Sequence, residues 1–184
     1  YSVAAELNDL SAVEKMLADI DALNVPVDIV LNNAGLQIAY RTDYLSTPKE
    51  DYLVSFNVNT IAPMMICYHF LPKMQQRGFG RILNTTSGIN LDPQQAGYSA
   101  SKAALDKVTI DLGMKYEGSD VLINLTDPGW CRTDLGGRHA PNAPGRGLRP
   151  LHPSCCARYT GAGGIYCCRP LYWRAVFHLL RQEF

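Results

Sequence analysis

"GRILNTTSGINLDPQQAGYSASKAALDK", Gly80 to Lys107, is the stretch whose reading decides the fold. "GRILNTTSG" reads as a strand running into a turn of small polar residues, and "YSASKAALDKVTIDLGMKY", from Tyr98, as the helix after it. The same alternation extends both ways. Upstream, "LSAVEKMLADIDAL" places Val13, Met16, Leu17 and Ile20 at helical spacing, and "VDIVLNNAG" is a short buried strand ending in a turn. "STPKEDYLVSFNVNT" begins a helix with Thr47 as expected N-cap, Pro48 at the first helical position and Glu50 as capping-box acid. Pro63 predicts a join or kink in its continuation and Pro72 predicts its end. Downstream, "VLINLTDPG" is the next strand. Strands alternating with helices predict an α/β, Rossmann-like doubly wound fold, its parallel sheet covered on both faces.

The 184 residues are 47% hydrophobic and 18% charged, the balance of an ordinary globular domain with a real core. No apolar run reaches the length of a membrane span, and there is no basic-then-apolar leader, so neither a span nor a secretory signal is indicated. Cys67 and Cys131 stand alone while Cys155-Cys156 and Cys167-Cys168 are vicinal, a poor disulfide framework that favours a reducing, cytoplasmic setting. The net charge of zero hides a division. Up to Leu135 there are 10 basic and 16 acidic residues, whereas from Gly136 there are 7 Arg and one acid, Glu183. A boundary is therefore expected at Gly136–Gly137, separating a domain over 1–135 from an Arg-, Cys-, Gly- and Pro-rich tail over 136–184. The dispersed basic residues follow no nucleic-acid recognition module.

Tyr98 and Lys102 stand at i and i+4, so phenol and ammonium can meet on one helix face. A cation there is expected to lower the phenol's pKa and make Tyr98 a usable proton donor and acceptor. Chance spacing on an amphipathic helix explains the pair equally well taken alone. Three strand ends, however, carry unusual residues: Asn32 to Gly35, Thr85 to Gly88, and Asp127 to Gly129. In a parallel sheet the carboxyl ends of strands line one crevice, where ligands bind.

"NNAG" at Asn32 to Gly35, "NVNT" around Asn59, "GRILNTTSG" with Ser87, "YSASK" carrying the YxxxK motif, and "DPGWCRTDL" together resemble the short-chain dehydrogenases/reductases, over about Ala4 to Leu135. The resemblance implies an NAD(P)-dependent oxidoreductase moving a hydride between nicotinamide and a small carbonyl or alcohol substrate. It makes Tyr98 the acid/base and Lys102 the residue that lowers its pKa and binds the nicotinamide ribose. Ser87 becomes the donor to the substrate oxygen, with Thr86 as competing candidate because the interval to Tyr98 is short for the family. Asn59 holds a water beside the lysine, with Asn57 left as a surface amide. Asn33, Ala34 and Gly35 are expected near the adenosine ribose, Pro128, Gly129 and Thr133 at the nicotinamide carboxamide, and Glu6 and Leu7 at the adenine. The cofactor is NAD or NADP, and homo-oligomers through the Asn59 and Tyr98 helices are expected. No metal is called for.

A family member begins with a strand, a Gly-rich TGxxxGxG turn opening a helix, and a second strand. These are expected to be missing before Tyr1, so the chain is expected to bind dinucleotide poorly, since no helix N-terminus there receives the pyrophosphate. The alternative reading is a non-catalytic fragment or remnant with at most a self-association role. The tail composition suggests a coding frame changed after about Gly137; a zinc site from the cysteine pairs and His152 is the competing reading, with poor spacing.

Overall fold

A computed structural model describes residues 1–38, 40–88 and 93–143. The tail readings, including the proposed zinc site, fall on residues 144–184 and lie outside the described residues. Among the described residues, four α-helices are interspersed with three strands: α1 (Leu10–Ala22), β1 (Ile29–Asn32), α2 (Lys49–Phe56), α3 (Ala62–Arg77), β2 (Gly80–Thr85), α4 (Ala96–Lys115) and β3 (Val121–Thr126). The strands are parallel in the order β1-β2-β3, with Asn32 beside Asn84 and Thr85 beside Thr126. Their carboxyl ends therefore share one edge, as the sequence predicts.

Side chains two apart share a sheet face. Val30, Ile82 and Ile123 lie on the face that packs with Leu71, Met74 and Leu105, and all are buried. On the opposite face Leu31 is 46% exposed, and Leu83 and Leu122 are only half-buried. The expected cover on both sheet faces is thus present on one among the described residues. The reason is topological: both crossovers step the same way across the sheet, and right-handed crossovers in one direction put their helices on one side.

Two features of the central helix differ from expectation. Thr47 caps nothing; its hydroxyl donates to the Tyr44 carbonyl at 2.7 Å, and Pro48 rather than Thr47 precedes the first helical residue. Pro72 does not end the helix, which runs on to Arg77 and closes at Gly78 in the left-handed conformation, φ 74°. Burial of Leu71 and Met74, 2% and 0% exposed, holds the helix together past the proline. The join expected near Pro63 is present as a π turn over Asn57–Ile61, in which the Ala62 N–H donates to the Asn57 carbonyl.

Candidate active site

The π turn aims Asn59 inward. Its side-chain oxygen accepts from the Leu36 N–H and its amide donates to the Leu36 carbonyl, both at 2.8 Å, and also to the Ser101 hydroxyl at 3.0 Å. Ser101 donates in turn to the Tyr98 carbonyl at 2.8 Å, and Thr60 donates to the Ser101 carbonyl at 2.7 Å. Asn59 therefore locks the loop after β1 to the turn of α4 that carries Tyr98 and Lys102. Pro63 has no N–H, so the Asn59 carbonyl lacks its regular i+4 helical donor. Asn57, by contrast, reaches outward to Asn8, as a surface amide should.

Lys102 is buried, and its ammonium donates to the Thr85 carbonyl at the end of β2, 2.8 Å away. Burial draws its pKa down to about 8, against the pull of Asp106 and Asp127. Gly35 lies over the same point: a Cβ there would stand 3.5 Å from both the Lys102 Nζ and the Asn59 Oδ1. Tyr98 is half-buried, and its desolvation raises the phenol's pKa; the hydrogen bond with Ser87 opposes this, while Asp127 and Tyr40 add to the rise. The expectation that Lys102 lowers this pKa is not met. Burial dominates at the phenol, and the Lys102 ammonium is engaged with the Thr85 carbonyl instead.

Ser87 thus acts on the Tyr98 phenol, whereas Thr86, the competing candidate, turns into the protein and donates to the buried Asp106 carboxylate. Asn33, Ala34 and Gly35 are exposed on a ledge at the β1 exit. After β3, Gly129 adopts φ 70° and its N–H donates to Asp127 at 2.8 Å. Pro128 is half-buried; Thr133 is exposed, its hydroxyl accepting from the Gly136 N–H at 3.1 Å. Asp127 connects this segment to Tyr98 and Lys102 electrostatically. Glu6 turns back onto the Asn8 N–H, and Leu7 packs at the edge of the core. Sequence reasoning gave Ser101 and Asp106 no role in the site, and placed Asp127 in the turn after the third strand without a role of its own. The first two carried one signal, their position in the helical register of Tyr98 and Lys102.

The residues present suit the ribose and nicotinamide end of a dinucleotide. An exposed ledge with a bare Gly35 lies over an ammonium that retains donors beyond its bond to Thr85, and Thr126 Oγ1, buried at the β3 exit, has no partner among the described residues. Among the described residues no group of His, Cys, Asp and Glu could hold a metal ion.

A parallel three-stranded sheet with a hydroxyl pair and a lysine at its carboxyl edge defines a Rossmann-like α/β protein. The chain matches the family described as short chain dehydrogenase over residues 1–143, and it belongs to that family. It is 30% identical over 137 residues to nodulation protein G of Azospirillum brasilense, covering 73% of this chain and 55% of the relative. Among solved structures, it is similar to a 4-hydroxyisoleucine dehydrogenase complexed with NADH and succinate, with TM-score 0.66 and 26% identity, covering 72% of this chain and 57% of that one. It is similar also to a 3-oxoacyl (acyl-carrier-protein) reductase from Agrobacterium tumefaciens C58 with NADP bound, with TM-score 0.65 and 28% identity, covering 72% and 51%. The chain thus spans about half the length of the relatives it matches.

Proposed function

We propose that the chain carries the acid/base half of an NAD(P)-dependent oxidoreductase acting on a small carbonyl or alcohol, with Tyr98 as the proton-transfer group. The observation that carries this reading is that Tyr98 and Lys102 rise from one helix to the shared edge of the strand exits, where Lys102 donates to the Thr85 carbonyl and Ser87 moderates the Tyr98 phenol. A bound nicotinamide supplies or accepts the hydride. Tyr98, its pKa raised, holds its proton at neutral pH and donates it to a carbonyl oxygen that Ser87 also hydrogen-bonds. The protonated phenol is the form that reduction requires. Lys102 binds the nicotinamide ribose and keeps a positive charge behind the site, and the Asn59 carbonyl holds the water that returns protons through it. Asn33, Ala34 and Gly35 face the adenosine ribose, and Pro128, Gly129 and Thr133 the carboxamide. No described helix is long and apolar enough to cross a membrane. We place the protein in the cytoplasm, where the free thiols of Cys67 and Cys131 stay reduced.

The test joins the chain at Tyr1 to the strand, Gly-rich turn, helix and strand of a family relative and measures reduction of a panel of small ketones and aldehydes with NADH and NADPH. Turnover is expected, and Tyr98→Phe should lower it by ~10²–10⁴-fold with dinucleotide affinity nearly unchanged. Turnover that survives the substitution would remove Tyr98 from its role. The second reading, a non-catalytic piece, is favoured by β1, which pairs only with β2 among the described residues. It predicts no dinucleotide binding by the unextended chain and no turnover by the extended one.

A further inference from the structure

We propose that Asp106 is the positioning residue that keeps Lys102 charged, with Thr86 clamping its carboxylate in place; this rests on the reading of Lys102 as the site lysine. Tyr98, Lys102 and Asp106 stand at i, i+4 and i+8, one above the next on the same face of α4. Asp106 is buried, and a carboxylate seldom occupies such a position without partners. It has one from β2's exit, since the Thr86 hydroxyl donates to its Oδ1, and it interacts with Lys102 electrostatically.

The groups around Lys102 can be compared element by element. From β2 comes the neutral Thr85 carbonyl, from the π turn the neutral Asn59 amide, and from the β1 exit the Gly35 backbone. On α4 itself stand the protonated Tyr98 phenol and Asp106, and from the β3 exit comes Asp127. Two carboxylates therefore support the ammonium, and Asp106 exerts the larger pull. Asp127 also accepts from the Gly129 N–H and opposes ionisation of Tyr98. Burial works against both charges, which make no direct ion pair: Thr86 favours the charged form of Asp106, and Asp106 in turn favours that of Lys102 across the intervening space. Thr86 is also the residue before Ser87. The clamp consequently ties the turn that presents Ser87 to the helix that presents Tyr98.

The test reads Lys102 directly in the full chain, without cofactor: the rate of amine modification by trace acetic anhydride, followed by peptide mass spectrometry across pH 6 to 10, with exposed Lys49 as internal reference. In Asp106→Asn the Lys102 midpoint should fall by about one pH unit, making it roughly tenfold more reactive than the parent at neutral pH, while Lys49 is unchanged. Asp106→Glu should restore the parental midpoint. A merely structural role would raise labelling without moving the midpoint, and that result, or an unchanged profile, overturns the proposal. Should Asp106→Asn fail to fold, Thr86→Val decides: loss of the clamp should move the midpoint the same way, and an unmoved midpoint refutes the idea. Failure of dinucleotide binding or turnover leaves this readout untouched, whereas an unmoved midpoint beside an active extended chain would sink the proposal and spare the proposed function.

Discussion

Lys102 carries the largest electrostatic cost in the described site, and that cost has a measurable sign. Its folded pKa, about 8, lies below the ordinary value of 10.5. Between those values the unfolded chain holds a proton that the folded chain has released, so this residue makes stability rise as pH rises through the window. Below about pH 8 the penalty is present in full. Lys102→Met should therefore stabilise the chain at pH 7 by on the order of 3 kcal/mol at most, less whatever the Thr85 carbonyl and the Asp106 carboxylate lose with the ammonium, with the gain vanishing by pH 10.5. Urea unfolding of parent and variant at pH 7 and pH 10 separates this from ordinary repacking: a gain that does not change with pH would show that the ammonium is not desolvated. Tyr98 presents the reverse problem. Its proton is secured by burial rather than released by the lysine, which suits donation and makes Ser87, not Lys102, the group that moderates the phenol in the ligand-free site.

The elements that position these residues meet with little spare room. Gly97, immediately before Tyr98, faces α2 so closely that an added Cβ would lie 2.8 Å from the Asp51 carbonyl oxygen, 2.9 Å from the Tyr52 Cα and 3.0 Å from the Ser55 Oγ. Backbone atoms cannot swing aside as a flexible side chain can. Gly97→Ala should accordingly cost about 1–3 kcal/mol despite the better helix propensity of alanine, read as a lower urea midpoint; a variant as stable as the parent would mean that the two helices slide apart freely. Much of this level was legible beforehand. The alternation of strands and helices, the shared edge of their exits and the Tyr98–Lys102 register are local periodicities, and local periodicity is what a sequence displays. The π turn left one trace, Pro63, and its hydrogen-bond pattern could not be read from that alone. Pro72 misleads because Leu71 and Met74 bury themselves on either side of it, a tertiary effect that outweighs the propensity. The Thr86–Asp106 contact joins residues 20 apart, so only the fold reveals it.

At the scale of the whole molecule, the direction of the two crossovers matters more than any single contact. Stepping from β1 to β2 to β3 in one direction across the sheet stacks α3 and α4 against the Val30–Ile82–Ile123 face and leaves Leu31, Leu83 and Leu122 under thinner cover. The same stepping gives β2 a neighbour on each side, while β1 and β3 each have one among the described residues. Backbone hydrogen bonds shielded on both sides open only with the sheet, whereas those at an edge can open locally. Amide hydrogen exchange at neutral pH should therefore be slowest in Arg81 to Asn84 and at least tenfold faster in Ile29 to Asn32. The buried Asn32–Asn84 hydrogen bond, 2.8 Å long, and the Asn84 bond to Thr109 at 2.9 Å should keep the carboxyl end of β1 slower than its start. That gradient bears on function, because the Asn33–Gly35 ledge is the direct continuation of that end. Uniform protection across all three strands would show that the outer edge of β1 is covered in solution, by a second copy of the chain or by a segment outside the described residues. Repeating the exchange over a tenfold range of protein concentration tells these apart, since only cover by a second copy weakens on dilution.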